Sequence, residues 1–133
     1  MKTFDVQSIG IAAPAAAVFE FVADPSNLPR WTHAFQSADS RSAELVTPNG
    51  AVPITLQTIT DDALKVVDWK MTFPDGTEGM AFSRVTPDGP DSAVYSFVLM
   101  APPVPLEMLE GALSAQMEIL ADELLKLKAI LEA

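Results

Sequence analysis

After Pro105 the chain runs to its end without another proline, and apolar residues recur at Leu106, Leu109, Leu113, Met117, Leu120, Leu124, Leu127 and Leu131. The steps are three or four throughout, which places these side chains on one stripe of an α-helix spanning 105–132. Glu107 and Glu110 stand near its start and Lys126 and Lys128 near its end, the order that complements the helix dipole. At 1.5 Å per residue this helix is about 42 Å long, enough to cross a whole small domain. Gly111 is its weak point, costing about 1 kcal/mol relative to alanine. A helix with one long apolar stripe must bury it, so the rest of the chain has to supply a covering surface.

That surface reads as β-structure. Between residues 34 and 100, turn chemistry recurs at Pro48-Asn49-Gly50, Asp61-Asp62, Pro74-Asp75-Gly76 and Pro87-Asp88-Gly89-Pro90. Asn-Gly and Asp-Gly pairs supply the positive φ that tight hairpins require. Strands are expected at 34–40, 42–47, 52–60, 64–72, 77–86 and 92–100. Spacing this short, without helices between, predicts an antiparallel meander. Ahead of it, residues 3–10 alternate as a first strand, with Phe4, Val6 and Ser8 on one side and Asp5, Gln7 and Ile9 on the other. Pro14 and the alanines after it predict a short helix over 14–22, and Asp24-Pro25 a second over 25–30 that Pro29 limits.

The 133 residues fit one domain with a single core. Eighteen Asp and Glu against eight Lys and Arg give a formal charge of −10, which argues against nucleic acid as a partner. With no Cys there is no disulfide framework, thiol catalysis or thiolate metal site, and with one His no multi-histidine metal centre. Mean hydropathy is high at +0.23, yet no uninterrupted apolar run reaches membrane-spanning length. The stretch from Ile9 to Ala23 is broken by Pro14 and Glu20 and reads as part of the fold rather than a targeting segment, so the expected location is the cytoplasm. Greasiness without a span implies a large core, an internal apolar cavity or a buried oligomer face.

Strand, two short helices, meander and one long helix describe an α+β domain. The economical packing is a curved antiparallel sheet wrapped around the C-terminal helix, with the short helices closing one end. The stretch Ser8 to Phe35, SIGIAAPAAAVFEFVADPSNLPRWTHAF, resembles the N-terminal signature of the SRPBCC superfamily. This is the helix-grip group of START-related lipid-transfer domains and polyketide cyclase/dehydratase-like proteins. The matching pieces are Pro14 opening the first helix, Val18-Phe19 with Val22, Asp24-Pro25 and Leu28-Pro29-Arg30-Trp31. Ser83-Arg84-Val85-Thr86-Pro87 with Val94-Tyr95-Ser96-Phe97 is similar to that superfamily's last hairpin. The resemblance spans essentially the whole chain, and implies the helix-grip fold while leaving activity open.

Strand alternation nominates the residues that face the helix. Val67, Trp69 and Met71 share a face, as do Met80 and Phe82, and Tyr95, Phe97 and Leu99. The large sets are expected to point inward and meet Leu113, Met117 and Leu120. Either they are ordinary core, or they wall a pocket for a flat or greasy ligand. The same alternation would place Trp31, His33 and Phe35 together. His33 is a candidate general base and Tyr95 a candidate acid or hydrogen-bond donor, against the plainer readings of a surface histidine and a core tyrosine. No carboxylate obviously orients His33, though Asp24 or Asp68 could approach it. Arg30, Arg41 and Arg84 are the cations best placed to meet an acidic group, or simply surface pairs. Asp61-Asp62 and Asp122-Glu123 read as solvated charges.

Dinucleotide, phosphate-loop, zinc-protease and nucleophile-elbow motifs are all absent from the sequence, and no cofactor or metal is expected. The expected function is binding of a hydrophobic small molecule. By resemblance it would be a lipid or an aromatic polyketide-like metabolite, with acid–base cyclisation or dehydration as the chemistry such a cavity would host. The alternative is a protein-interaction module of the same fold, chaperone-cofactor-like, without turnover. Val66, Val94, Val98 and Met100 are expected on the outer sheet face, where a homodimer would form.

Overall fold

The computed structural model describes residues 3–47, 50–100 and 106–133, with side chains described at 3–45, 50–100 and 114–133. Seven strands form one sheet: β1 (Phe4–Ile11), β2 (Phe35–Ala38), β3 (Ser42–Thr47), β4 (Gly50–Asp61), β5 (Val66–Thr72), β6 (Glu78–Pro87) and β7 (Ala93–Met100). Their order is β1-β7-β6-β5-β4-β3-β2, every neighbour antiparallel. The meander forms hairpin by hairpin because aspartates close the turns. Asp39 accepts from the backbone N–H of Arg41 and of Ser42, each at 2.8 Å. Asp61 accepts from Leu64 N at 3.0 Å, and the next residue, Lys65, takes φ 57°. Asp75 accepts from Thr77 N at 3.0 Å, with Gly76 between them at φ 90°, where a side chain would be strained. Pro48-Asn49 lies outside the described residues.

Helix α1 (Ala15–Ala23) starts after Pro14 and buries Val18, Phe19 and Val22. The second helix expected at 25–30 is instead a 3₁₀ turn, Pro25–Asn27, followed by a single α-turn, α2 (Leu28–Trp31). The Asp24 carboxylate accepts from Ser26 N at 3.0 Å and sets the 3₁₀ turn. Pro29 does not stop α2, because it occupies the first turn, where no N–H is needed. The long helix α3 (Leu106–Glu132) places Leu120, Leu124 and Leu127 in the core.

α3 also lies along β1, the edge of the sheet. Gln7 Nε2 donates to the Met117 carbonyl at 2.9 Å, Lys128 Nζ to the Gly10 carbonyl at 3.0 Å, and Ala12 N to the Glu132 carboxylate at 2.8 Å. Side chains thereby occupy backbone groups that an open edge would leave for another strand. No helix among the described residues is long and apolar enough to cross a membrane.

Cross-strand partners share a face, so the register decides what points inward. Tyr95 opposes Ile9 and Val85, Phe97 opposes Gln7 and Ser83, Trp69 opposes Ala81 and Thr58, and Met71 opposes Gly79 and Leu56. The inner face of β6 is therefore Gly79, Ala81, Ser83 and Val85. Met80 opposes Lys70 and Phe82 opposes Val98, which puts both on the outer face, against the expectation that they line the interior. Side-chain size was the wrong guide there, because β6 sets small residues against the large ones of β5 and β7. On β1 the side carrying Asp5, Gln7 and Ile9 lies inward, Asp5 buried, while on the other side Phe4 is 46% and Val6 55% exposed.

Candidate functional site

Four aromatic rings run in a continuous row between the concave face and α3. The Trp31 and Tyr95 centroids are 6.1 Å apart, edge to face. Tyr95 and Phe97 are 6.5 Å apart, and Phe97 stacks on Trp69 at 6.0 Å and 28°. Trp31 reaches the row because α2 ends there, packed against α3. Trp31, Trp69 and Tyr95 are buried, whereas Phe97 is half-buried.

On β5, β6 and β7 burial falls toward one end, whereas on β4 it runs the other way, from half-buried Thr58 to buried Leu56 and Ile54. On β7 it drops from Ala93 and Tyr95 to half-buried Phe97 and Leu99, and on β5 from Val67 and Trp69 to half-buried Met71. On β6, Val85 and Ser83 are buried and Ala81 and Gly79 half-buried. α3 follows the same gradient, from buried Leu127, Leu124 and Leu120 to half-buried Met117. The side chain of Leu113 lies outside the described residues. Met71, Phe73, Ala81, Leu99 and Met117 are half-buried at that end, while Leu56 opposite Met71 and Asp5 opposite Leu99 stay buried.

Polar atoms inside this apolar row lack protein partners. The indole N–H groups of Trp31 and Trp69, the Thr58 hydroxyl and the Tyr95 hydroxyl are all buried without a hydrogen bond. Burial drives the Tyr95 pKa well above its ordinary value near 10. The nearby Ser83 hydroxyl opposes this in part, and the Glu123 and Asp68 carboxylates reinforce it. Tyr95 is accordingly a neutral phenol at physiological pH, able to donate a hydrogen bond and unable to serve as a base. Ser83 itself is committed to the sheet: its hydroxyl donates to the Val67 carbonyl at 2.5 Å and its backbone N–H to Asp68 at 3.1 Å.

His33 is not part of the row. Residues 28–31 are helical, so alternation does not carry from Trp31 to His33, and the imidazole is exposed with Nε2 2.7 Å from Asp122. The orienting carboxylate is thus Asp122, not Asp24 or Asp68. Beside it, Glu123 is buried rather than solvated and accepts from His33 N at 2.6 Å. Burial raises the Glu123 pKa, with the His33 N–H opposing. This tether fixes the chain two residues beyond Trp31. Phe35, on β2, is half-buried at the edge of the core.

The cations lie elsewhere. Arg30 sits over the Phe21 ring at 5.0 Å, Arg41 is in the β2–β3 turn, and Arg84 is on the outer face opposite Ser96. Among the described residues no group of three or more His, Asp or Glu is arranged to hold a metal ion. A shallow hollow of about 220 Å³ between β2 and β3 is lined by residues such as Ser37, Asp39 and Glu44 and by none of the aromatic row. Thr58, Ala81 and Ser83 were missed as wall residues. Thr58 was legible, since it alternates with buried Ile54 and Leu56.

Solved structures share the fold. The chain superposes on a START superfamily protein from Mycobacterium smegmatis with a TM-score of 0.72 and 18% identity, covering 98% of each chain. It matches the Zhui aromatase/cyclase from Streptomyces sp. R1128 with a TM-score of 0.64 and 13% identity, over 96% of this chain and 90% of that one. The di-domain aromatase/cyclase BexL gives a TM-score of 0.72 and 20% identity, over 97% of this chain and 46% of that one. Identities this low establish the helix-grip fold and no activity. No curated protein sequence matches. Residues 6–132 match the family described as polyketide cyclase/dehydrase and lipid transport, and the chain belongs to that family.

Proposed function

We propose that the protein binds a hydrophobic small molecule, a lipid or an aromatic polyketide-like metabolite, between the concave face of the sheet and α3. The observation that carries this reading is the burial gradient on β5, β6 and β7: a buried aromatic floor grades into half-buried thioether, aromatic and aliphatic side chains, which would form the mouth. A surface of this kind recognises ligands by shape and apolar area, with a few polar groups to orient them. The aromatase/cyclase neighbours and the family description support the same class. If the bound molecule is transformed, Tyr95 would act as a donor polarising a carbonyl, and proton abstraction would fall to another group or to the substrate. His33 and Asp122 lie at the surface, so a role for them in turnover would require a ligand extending out of the interior.

The test is native mass spectrometry of freshly purified protein, followed by organic extraction. A stoichiometric apolar ligand supports the reading and names the compound class to assay for turnover. A protein that stays unliganded and fails to bind apolar aromatic probes would end it.

The outer sheet face favours a second reading, self-association. Phe4, Val6 and Met100 are exposed there, with Val66, Val94 and Val98 half-buried alongside. A chaperone-cofactor-like module would use the same face for a client. Light scattering that gives a monomer up to high concentration removes the dimer.

A further inference from the structure

We propose that the solvent face of α3 is a self-complementary docking surface for a second copy of this chain, the two helices pairing antiparallel about a two-fold axis at Asp122. The contact is separate from the interior and from the outer sheet face, and it stands whether or not a ligand binds.

Leu120, Leu124 and Leu127 hold one side of α3 in the core. At about 100° per residue, the stripe on the opposite side is centred on Asp122. It is exposed along its length, yet it carries two large apolar residues, Ile119 at 45% and Leu125 at 60% exposure. Leu125 is the most exposed large hydrophobic side chain among the described residues. The order along the stripe reads the same outward from Asp122 in both directions, in size and apolarity, with opposite charge. Three residues away stand Ile119 and Leu125, four away Glu118 and Lys126, seven away Ala115 and Ala129. A two-fold axis at Asp122 therefore sets Ile119 level with Leu125 of the second copy, Glu118 with Lys126, and Ala115 with Ala129. The alanines at both ends let the helices approach to about 8–10 Å, the spacing of packed helices.

Charge selects both the occupant and its direction. Among the described residues, neither Glu118 nor Lys126 is in an ion pair within its own chain. The antiparallel arrangement gives each an opposite charge across the axis, whereas a parallel pair would set Glu118 against Glu118 and Lys126 against Lys126. Asp122 is the one residue that meets its own copy. Its carboxylate is already held by the His33 Nε2 at 2.7 Å, so the axis carries two His33–Asp122 pairs rather than two bare carboxylates. The contact from Ala115 to Ala129 is about 21 Å long. It buries on the order of 400 Å² per copy, half of a standard interface, which makes a weak dimer populated at high micromolar chain concentration.

The test is sedimentation equilibrium of the full chain over low to high micromolar concentration at physiological ionic strength, with each variant's fold checked by its melting curve. The parent should dimerise with rising concentration, and Leu125→Glu should weaken the dimer by about tenfold or more. Glu118→Lys and Lys126→Glu should each weaken it by about tenfold, since each leaves like charges level across the axis. Mixed one to one, these two variants should associate with each other about as tightly as the parent does with itself, and the double variant should dimerise again. A variant impaired only in folding is not rescued by mixing. Val6→Glu, on the outer sheet face, should leave association unchanged. A parent that stays monomeric at every concentration overturns the proposal. So does a mixture of the two charge variants that stays monomeric, or a dimer that survives Leu125→Glu and is lost in Val6→Glu, which would assign the contact to the sheet.

Discussion

Replacing Tyr95 by phenylalanine should make the protein more stable, against the usual outcome for a fully buried residue. The hydroxyl is enclosed without a well-formed hydrogen bond, and the nearby Ser83 hydroxyl, committed to the Val67 carbonyl, offsets its desolvation only in part. An unpaired buried polar group costs about 1–3 kcal/mol. Removing it forfeits a few van der Waals contacts and the proximity of Ser83, which leaves a net gain of about 1 kcal/mol. For a domain of this size that raises the melting temperature by about 3 °C, or the urea midpoint by about 0.5 M with the slope unchanged. The pH dependence adds an independent check. The folded-state pKa lies above the unfolded value near 10, so ionisation of the unfolded chain comes first as pH rises. Above pH 10 the parent then loses about 1.4 kcal/mol per pH unit through Tyr95, until the folded-state phenol also ionises. The Phe variant lacks this contribution, so the stability gap between the two proteins should widen in alkali. Urea titrations at pH 7, 9 and 10.5 measure both effects. A Phe variant less stable by 1 kcal/mol or more at pH 7 would mean that the hydroxyl is paired in solution, and the account of an unsatisfied interior would fail.

Three further outcomes follow from the same packing. Glu123→Gln keeps an acceptor for His33 N while removing a buried charge whose pKa is raised by burial. Stability from Glu123 is greatest below about pH 4.5 and is lost as pH rises through the folded-state value, so the variant should melt higher at pH 7 and level with the parent near pH 4. Leu127→Ala should cost about 2–5 kcal/mol by urea denaturation, since Leu127 is fully buried, whereas exposed Leu125→Ala should change stability by less than about 0.5 kcal/mol. At Gly79 a Cβ would meet Met71 and Phe73 at 3.6 Å, ordinary contact, so Gly79→Ala should be tolerated. Gly79→Leu should obstruct the mouth and weaken apolar probe binding by about tenfold in a fluorescence titration.

Periodicity and turn chemistry carried most of the fold. The three- and four-residue steps of α3 survive as Leu120, Leu124 and Leu127 in the core, and the aspartate-bearing turns close the hairpins of the meander. The wall formed by Val67, Trp69, Tyr95 and Phe97 was legible because large apolar residues alternate with polar ones on β5 and with smaller ones on β7. β6 defeated the same logic. Both of its faces carry apolar residues, and only pairing with β5 and β7 reveals that Ala81, not Met80 or Phe82, opposes Trp69. His33 was misplaced because α2 interrupts the alternation, and its partner Asp122 lies 89 residues away. Glu123 looked like its solvated neighbour, since nothing in the sequence tells which turn of a helix a distant loop will cover. The hydrogen-bonding deficit of Thr58 and the two indoles is a property of packing, invisible until neighbours are known.

The seam between β1 and α3 also bears on how the chain is assembled. β2 to β7 can zip together through neighbouring hairpins, each closing a short loop. β1 cannot join them until β7 exists, because Phe4 pairs with Met100, and α3 is bonded to β1 at Gly10 and Ala12. β1 and α3 are therefore one cooperative unit, joined to the meander through β7. A nick or truncation at either end should loosen the opposite end as well, since amide protection in β1 and in the last turns of α3 depends on the same few bonds.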